Sequence, residues 1–511
     1  MPLLTFALLA IFVICVFPST ATGQRNALSP QLYELPAVGP PTTFVNLQGV
    51  HFDPLTAIDI YFDSTPLAST TTDKNGSFGN GVISATGPTF TRLQVPSTAL
   101  PGQHTITAKE RVGQLSAQQS FLVRTDWAKY HFDLSNTGFN PYENVLSPDT
   151  VGNLALDWKY TAQGINLSSP AVVNGVVYVG SQDHNVYALN ASTGALIWKY
   201  MTGDEVDVSP TVANGVVYVV SSGGQNQLFA LNASTGALLW KYTAGYITSS
   251  PAVANGVVYV GGANDAELYA LNAVTGTLIW KYGTGGPVEA SPAVVNGVVY
   301  FSAGSVYALN AVSGALIWKY TTEADAYSAP AVANGVVYIG VTYAGNPNAP
   351  PGLYALNAST GARLWAFYVD GVMPGDGCSD TTVANGLAYI GCYSYYEGSV
   401  VYAFDIATQL IVWQGGFGGQ TPVVANGVAY VGSYALNAST GAVLWNWPEG
   451  FYPPVVADGM VYAGSGDDID AFHLPSQQMS EQFSPPERPD PARLTPNWSL
   501  QPNRLATPSK K

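Results

Sequence analysis

The sequence predicts an all-β protein, an eight-bladed β-propeller of four-stranded blades preceded by a small antiparallel β-sandwich. Three observations predict it. An eleven-residue pattern, Ala-x-Asn-x-x-(Thr/Ser)-Gly-x-x-x-Trp, recurs at 188–198, 230–240, 270–280, 308–318, 355–365 and 435–445, with a degraded copy at 403–413. A second signature, Asn-Gly or Asp-Gly ahead of a Val/Leu/Met-x-Tyr strand, occurs eight times, at 174, 214, 255, 296, 334, 385, 426 and 458. Only 10% of residues are charged, against 53 Gly and 35 Pro, a composition of short strands joined by many turns. Such self-similarity marks a repeat architecture, in which one unit cannot bury its apolar faces alone and neighbours must stack.

Taken from the N-terminus, residues 3–17 form an apolar run too short for a comfortable membrane span and are followed by small residues at 19–23. A secretory signal peptide over residues 1–23 is expected. The absence of Lys or Arg ahead of the run leaves an uncleaved anchor as the alternative. Two cysteines then remain, Cys378 and Cys392, and an exported protein usually pairs them.

Residues 30–124 lack the repeat and instead carry alternating runs such as Ile58 to Phe62 and His104 to Ala108, separated by turn signals at Asp73 to Gly76 and Pro101-Gly102. This spacing predicts a sandwich. The order Gly49-x-x-Phe52-x-Pro54, Asp73-x-x-Gly76-x-Phe78, Val95-Pro96 and Pro101 to Ala108 resembles the immunoglobulin-like IPT/TIG modules of secreted proteins, which implies a spacer or adhesion role.

Residues 125–475 are the predicted propeller. Each unit reads Ser-Pro-Ala-Val, Asn-Gly, Val-Val-Tyr-Val, a variable stretch, Tyr-Ala-Leu, Asn-Ala-Ser-Thr-Gly and Leu-Ile-Trp-Lys-Tyr, hence four strands. Asn-Gly suits a type I′ hairpin because both central residues need positive φ. The last unit stops after Asp470-Ala471-Phe472 without a tryptophan, whereas Trp158 precedes the first Asn-Gly. The eighth blade is therefore expected to borrow its outer strand from residues 154–160, closing the ring and removing its free edges. Residues 476–511 are Pro-, Ser- and Gln-rich and are expected to be a disordered tail.

The entry segment from Trp127 through Asp133, Asn136, Gly138 and Pro141 to Trp158 resembles the lead-in to the first blade of the pyrroloquinoline-quinone (PQQ) type β-propellers, and the eleven-residue pattern resembles their tryptophan-docking motif. The docking set is then Trp158, Trp198, Trp240, Trp280, Trp318, Trp365, Trp413 and Trp445. Each indole should stack between blades with its N–H on an acceptor. Trp413 is expected to be the least costly to remove, because Gln409 replaces the turn glycine of its unit. The family's dehydrogenases imply PQQ on the ring axis with an adjacent Cys-Cys disulfide, a calcium ion, an Asp base and a Trp floor. No adjacent Cys pair exists here to carry that over, and eight of the eleven tryptophans belong to the docking set.

Asn-Gly and Asn-Ala-Ser-Thr-Gly turns are nearly identical between units, while the loops on the opposite face vary, so a specific site belongs on the variable face. That face carries Asp204, Glu205, Asp207, Glu289, Glu323, Asp325, Asp376 and Asp380, and the tyrosines Tyr393, Tyr395 and Tyr396. These form either a polar or cation-assisted ligand site or a solvated rim. No catalytic residue or metal-ligand spacing stands out; the five histidines, at 51, 104, 131, 184 and 473, are dispersed. Sequons at Asn190, Asn232, Asn357 and Asn437 fall on the turn motif, where capping by the Asn side chain is the simpler role. Across the hairpin at Asn385-Gly386, Cys378 lies one residue out of register with Cys392, so a disulfide there needs a bulge.

With 18 basic and 33 acidic residues the net charge is −15, which disfavours nucleic acid and anionic membranes as partners. The reading is a secreted, periplasmic or cell-surface propeller, monomeric and without a cofactor, that binds a protein or glycan on its variable face. A PQQ- and calcium-dependent oxidoreductase is the alternative, and a polysaccharide-binding or adhesion protein is a third.

Overall fold

Asn174 and Gly175 have φ of 52° and 70°, so the tight turn that the sequence encodes is built with both central residues left-handed, and the other Asn-Gly pairs repeat it. The computed structural model describes residues 29–79, 83–84, 87–88, 91–164, 168–224, 226–343, 351–369, 377–394, 398–447 and 453–475. The expected signal segment and C-terminal tail lie outside the described residues, as do Asp376, Tyr395 and Tyr396. Among the described residues no helix is long and apolar enough to cross a membrane.

The chain divides into two compact units. The first comprises residues up to 36, 44–94 and 105–120. In it the strand Phe44–Val50 pairs with Gln31–Leu35 on one side and Thr91–Gln94 on the other, and the strand Ala57–Phe62 lies between Thr65–Thr71 and residues 106–110. Alternation places Val45, Leu47, Ile58, Ile60 and Phe62 inward, all buried.

The second unit, which includes residues 121–511, is a β-propeller whose described residues form eight antiparallel sheets of four strands, one with a short fifth. We number the blades by these sheets, beginning with Ala171–Val173, Val176–Gly180, Asn185–Asn190 and Leu196–Met201 as blade one. The eighth joins Val455–Ala457, Met460–Ser465 and Asp468–His473 to Ala155–Thr161, with Ala155 opposite His473 and Thr161 opposite Asp468. The two ends of the domain thus share one sheet. In each blade the fourth strand carries a register shift, such as that after Ala188, which sets Ala188 opposite Trp198.

The core is a series of seams between blades. Tyr178, Val186 and Trp198 of blade one pack against Val217, Phe229 and Leu231 of blade two. At the closing seam, Trp158 Nε1 donates to Ala191 O at 2.9 Å and Tyr462 OH donates to the same carbonyl at 3.2 Å. The pair recurs: Trp198 and Tyr178 converge on Ala233 O, and Trp413 and Tyr389 on Ala438 O. The motif glycine is needed here. Gly194 has φ 66°, and a Cβ on it would sit 2.6 Å from the Trp158 ring.

This geometry corrects one expectation. A motif glycine meets the tryptophan of the preceding blade, so Gly441 touches Trp413 and Gly361 touches Trp318. By the same register Gln409, at φ 62°, occupies the slot facing Trp365, and among the described residues no glycine meets Trp445 either, so the seams that depart from the pattern are those of Trp365 and Trp445. Trp413 has both its glycine and its carbonyl acceptor.

Candidate functional site

The first strand of each blade faces the ring axis and is a sheet edge, so its inward N–H groups need partners. Residues 127–140 supply them. Trp127 exchanges two backbone bonds with Val172, while the N–H groups of Val212, Val294, Val332, Val383 and Val424 donate to the carbonyls of Ala128, Leu134, Ser135, Thr137 and Gly138. Phe139 and Asn140 then run parallel to Val424 and Ala425, and Asn140 Nδ2 reaches Val456 O at 2.9 Å. The segment therefore bonds to the inner strands of seven blades, and Leu134 packs on the Ala252 and Ala254 cluster of the remaining one. To wind around the axis it holds His131, Phe132, Asn136 and Gly138 at positive φ.

Its polar side chains are used internally. Lys129 Nζ, buried, donates to Tyr130 O at 2.6 Å, Asp133 O at 3.0 Å and Asn136 Oδ1 at 2.5 Å. Asn136 Nδ2 in turn donates to Ser291 O and Pro330 O. Burial lowers the Lys129 pKa to about 8, opposed by Asp133 and Asp380. Burial also pushes His131 below the usual histidine range, again against the pull of Asp380.

Asp380, from the first strand of blade six, is where this segment meets the variable face. It accepts from Tyr130 OH at 2.9 Å and Ala329 N at 2.5 Å, with His131 Nε2 at 3.5 Å. Burial and the Asp380 charge push the Tyr130 phenol well above its ordinary pKa, so Tyr130 is a donor here. Beside it opens a cavity of about 400 Å³ lined by Tyr327, Thr342, Ser379, Asp380, Gln420 and Thr421 among others. A second cavity, about 590 Å³, shares Gln420 and is lined by Tyr393, Phe417, Tyr434 and several glycines.

Of the residues predicted from sequence, the structure gathers only some. Asp380 lines the first cavity and Tyr393 the second. Asp325 is joined through its backbone to Thr342, and both it and Glu289 bear on Tyr327, whose pKa is raised first by burial and then by those charges. Asp207 instead accepts from Ser222 Oγ at 3.0 Å, the Asp204 carbonyl accepts from Thr202 Oγ1, and the Glu205 backbone pairs with Ser222. Glu323 interacts with Tyr320 and Arg363, away from the cavity linings. Among the described residues no group of three His, Cys, Asp or Glu could hold a metal ion. Asn190 Oδ1 accepts from the N–H groups of Ser192 and Thr193, a turn cap. Cys378 and Cys392 are bonded, and a register shift between Cys378 and Thr381 absorbs the offset.

Sequence reasoning missed Tyr130, Tyr327, Phe417 and Gln420. Only the irregular turn composition of residues 131–138 and the glycine-rich run at 415–419 mark their neighbourhood.

The family model described as outer membrane protein assembly factor BamB matches residues 155–246, 230–305, 264–394 and 397–474. No curated protein matches the chain. Among solved structures it is similar to a europium-containing methanol dehydrogenase, at 18% identity and a TM-score of 0.55 over 67% of this chain and 90% of that one. It is similar also to quinohemoprotein alcohol dehydrogenase ADHIIG from Pseudomonas putida HK5, at 20% identity and a TM-score of 0.56 over 72% and 82%. The corresponding enzyme from Comamonas testosteroni gives 17% and 0.55 over 68% and 80%. These likenesses are of fold. The family match spans the blades themselves, and the chain belongs to the PQQ-like β-propeller family whose model is described as outer membrane protein assembly factor BamB.

Proposed function

We propose that this protein is an exported, non-catalytic binding propeller of the cell envelope, which holds a ligand or partner on its variable loop face. The observation that carries the reading is the axial segment. With residues 127–140 bonded to the inner strands of seven blades, the ring axis is structural, and among the described residues two open cavities around Gln420 offer space for a ligand. The family description, the apolar run at 3–17 and the Cys378–Cys392 disulfide all support an envelope location. The segment over residues 30–124 would act as a spacer that presents the ring.

The fold likeness to quinoprotein dehydrogenases raises the oxidoreductase alternative, and the residues lining the two cavities do not fit its cofactor. PQQ is a tricarboxylate and needs cationic partners. Among the described residues lining the two cavities the charged one is Asp380, and none is Lys or Arg. The test is a dye-linked alcohol and sugar oxidation assay on the purified protein with added PQQ and calcium, together with its absorbance spectrum. No bound quinone and no turnover are expected; bound quinone with turnover overturns the reading.

A further inference from the structure

We infer that the two cavities joined at Gln420 form one binding site for a neutral oligosaccharide, an assignment that rests on the binding-propeller reading and names its ligand. The shape comes from the loops. Blade seven has a minimal second-to-third-strand hairpin, Gly432-Ser433 between Val431 and Tyr434, and it is entered through Gly415-Gly416-Phe417-Gly418-Gly419-Gln420. Blade eight has an equally short hairpin at Gly466-Asp467, but the second and third strands of blade seven pair over four residues, the shortest such ladder of the eight sheets, so its hairpin rises least from the sheet. The glycines are set by close approach. A Cβ on Gly391 would collide with Gln420 O, and one on Gly415 would collide with the Phe417 ring. They bring the Gln420 backbone and the Phe417 ring down onto the blades, beside two cavities that share Gln420, one of them lined by Asp380.

The lining decides the ligand class. Phe417 and Tyr434 sit with ring centroids 5.4 Å apart and planes at 60°, and Tyr393 beside them is 50% exposed. Such rings offer flat apolar faces to the C–H face of a pyranose, with phenol hydroxyls at their edges. Further in, the Gln420 amide, the Thr342 hydroxyl and the Asp380 carboxylate present both donors and acceptors, as vicinal sugar hydroxyls require, while the Ser379 hydroxyl is engaged by Asp380 O and the Gly391 N–H. Asp380 is held in place by Tyr130 and Ala329. An anionic polymer finds no cation in these linings and faces a net charge of −15. A cationic peptide finds a single carboxylate, that of Asp380. A neutral, polyhydroxylated chain matches the lining, and each cavity falls within the range of about 300–1,000 Å³ usual for small-ligand sites.

The test uses the purified full chain on an array of neutral and acidic oligosaccharides, followed by calorimetry with a neutral one that is retained. Binding of neutral rather than acidic glycans is expected, weakened at least tenfold in both Tyr393→Ala and Gln420→Ala with an unchanged melting temperature. Glycan binding that survives both substitutions, or no glycan binding at all, overturns this site. The binding-propeller reading fails separately, through PQQ-dependent turnover in the oxidation assay. If either variant melts early, Tyr393→Phe and Gln420→Glu replace them, and the same tenfold criterion then applies to Gln420→Glu.

Discussion

Lys129 Nζ lies 2.5 Å from Asn136 Oδ1, and both side chains are buried where the axial segment winds between the blades. The ammonium satisfies that amide and two backbone carbonyls at once, so a Lys129→Met change leaves the buried Asn136 Oδ1 and the part-buried Tyr130 O without this donor, while Asp133 O keeps the Asn136 N–H. We expect it to cost about 2–4 kcal/mol, since each stranded acceptor costs on the order of 1–3 kcal/mol and relaxation recovers part. Denaturant unfolding checks this; a loss under about 1 kcal/mol would show that the network does not hold the axis.

The seams predict an unequal tryptophan series. Trp158→Ala and Trp413→Ala should each cost about 3–5 kcal/mol through cavity formation. Trp365→Ala should cost less, because Gln409 occupies its glycine slot. The ordering is read from the melting temperatures of single variants. A Trp365→Ala loss equal to or larger than that of Trp413→Ala would contradict the register in which a glycine serves the preceding blade.

The disulfide closes a short loop, with Cys378 and Cys392 separated by 14 positions. Chain entropy assigns about 3 kcal/mol to a loop of that size. The double Cys378→Ser, Cys392→Ser variant should lose a comparable amount, and reductant should lower the melting temperature of the wild type but not of the variant.

Asp126 supplies a pH signature. Burial, then the neighbouring Asp458 charge, raises its pKa to about 6, above the ordinary 3.8 of an unfolded chain. A carboxyl with a raised folded pKa binds more protons when folded. Its contribution is complete below about pH 4 and is lost as pH rises through about 6. Relative to Asp126→Asn, the wild type should lose several degrees of melting temperature between about pH 4 and pH 7. Parallel curves for the two proteins would contradict the assignment.

The repeats are legible in the sequence because their determinants are local. Asn174-Gly175 fixes a turn by its own backbone preference, and the pairing of Trp158 with the last unit follows from counting. What escapes depends on partners distant in sequence. Nothing in Val212 or Val424 says that its N–H will meet Ala128 or Gly138, and Asp380 reads as one loop acid among many until Tyr130, 250 residues away, is seen to donate to it. A motif read along the chain places glycine and tryptophan in one unit and so points to Trp413 as the weak seam, whereas the contact joins adjacent blades and points to Trp365. The proposed glycan site is hidden for a different reason: the short hairpin that shapes it carries no motif, and only the glycine-rich run at 415–419 marks its neighbourhood.

Closure of the ring axis by the chain's own segment is tested most directly by hydrogen–deuterium exchange of the inner-strand amides that donate to it, those of Val212, Val294, Val332, Val383 and Val424, with and without PQQ and calcium. Protection comparable to that of the seam strands at 186–190 and 228–232, unchanged by the additives, is the expected result. Exchange of these five amides as fast as at an exposed sheet edge, or a change in their protection when PQQ is added, would contradict it.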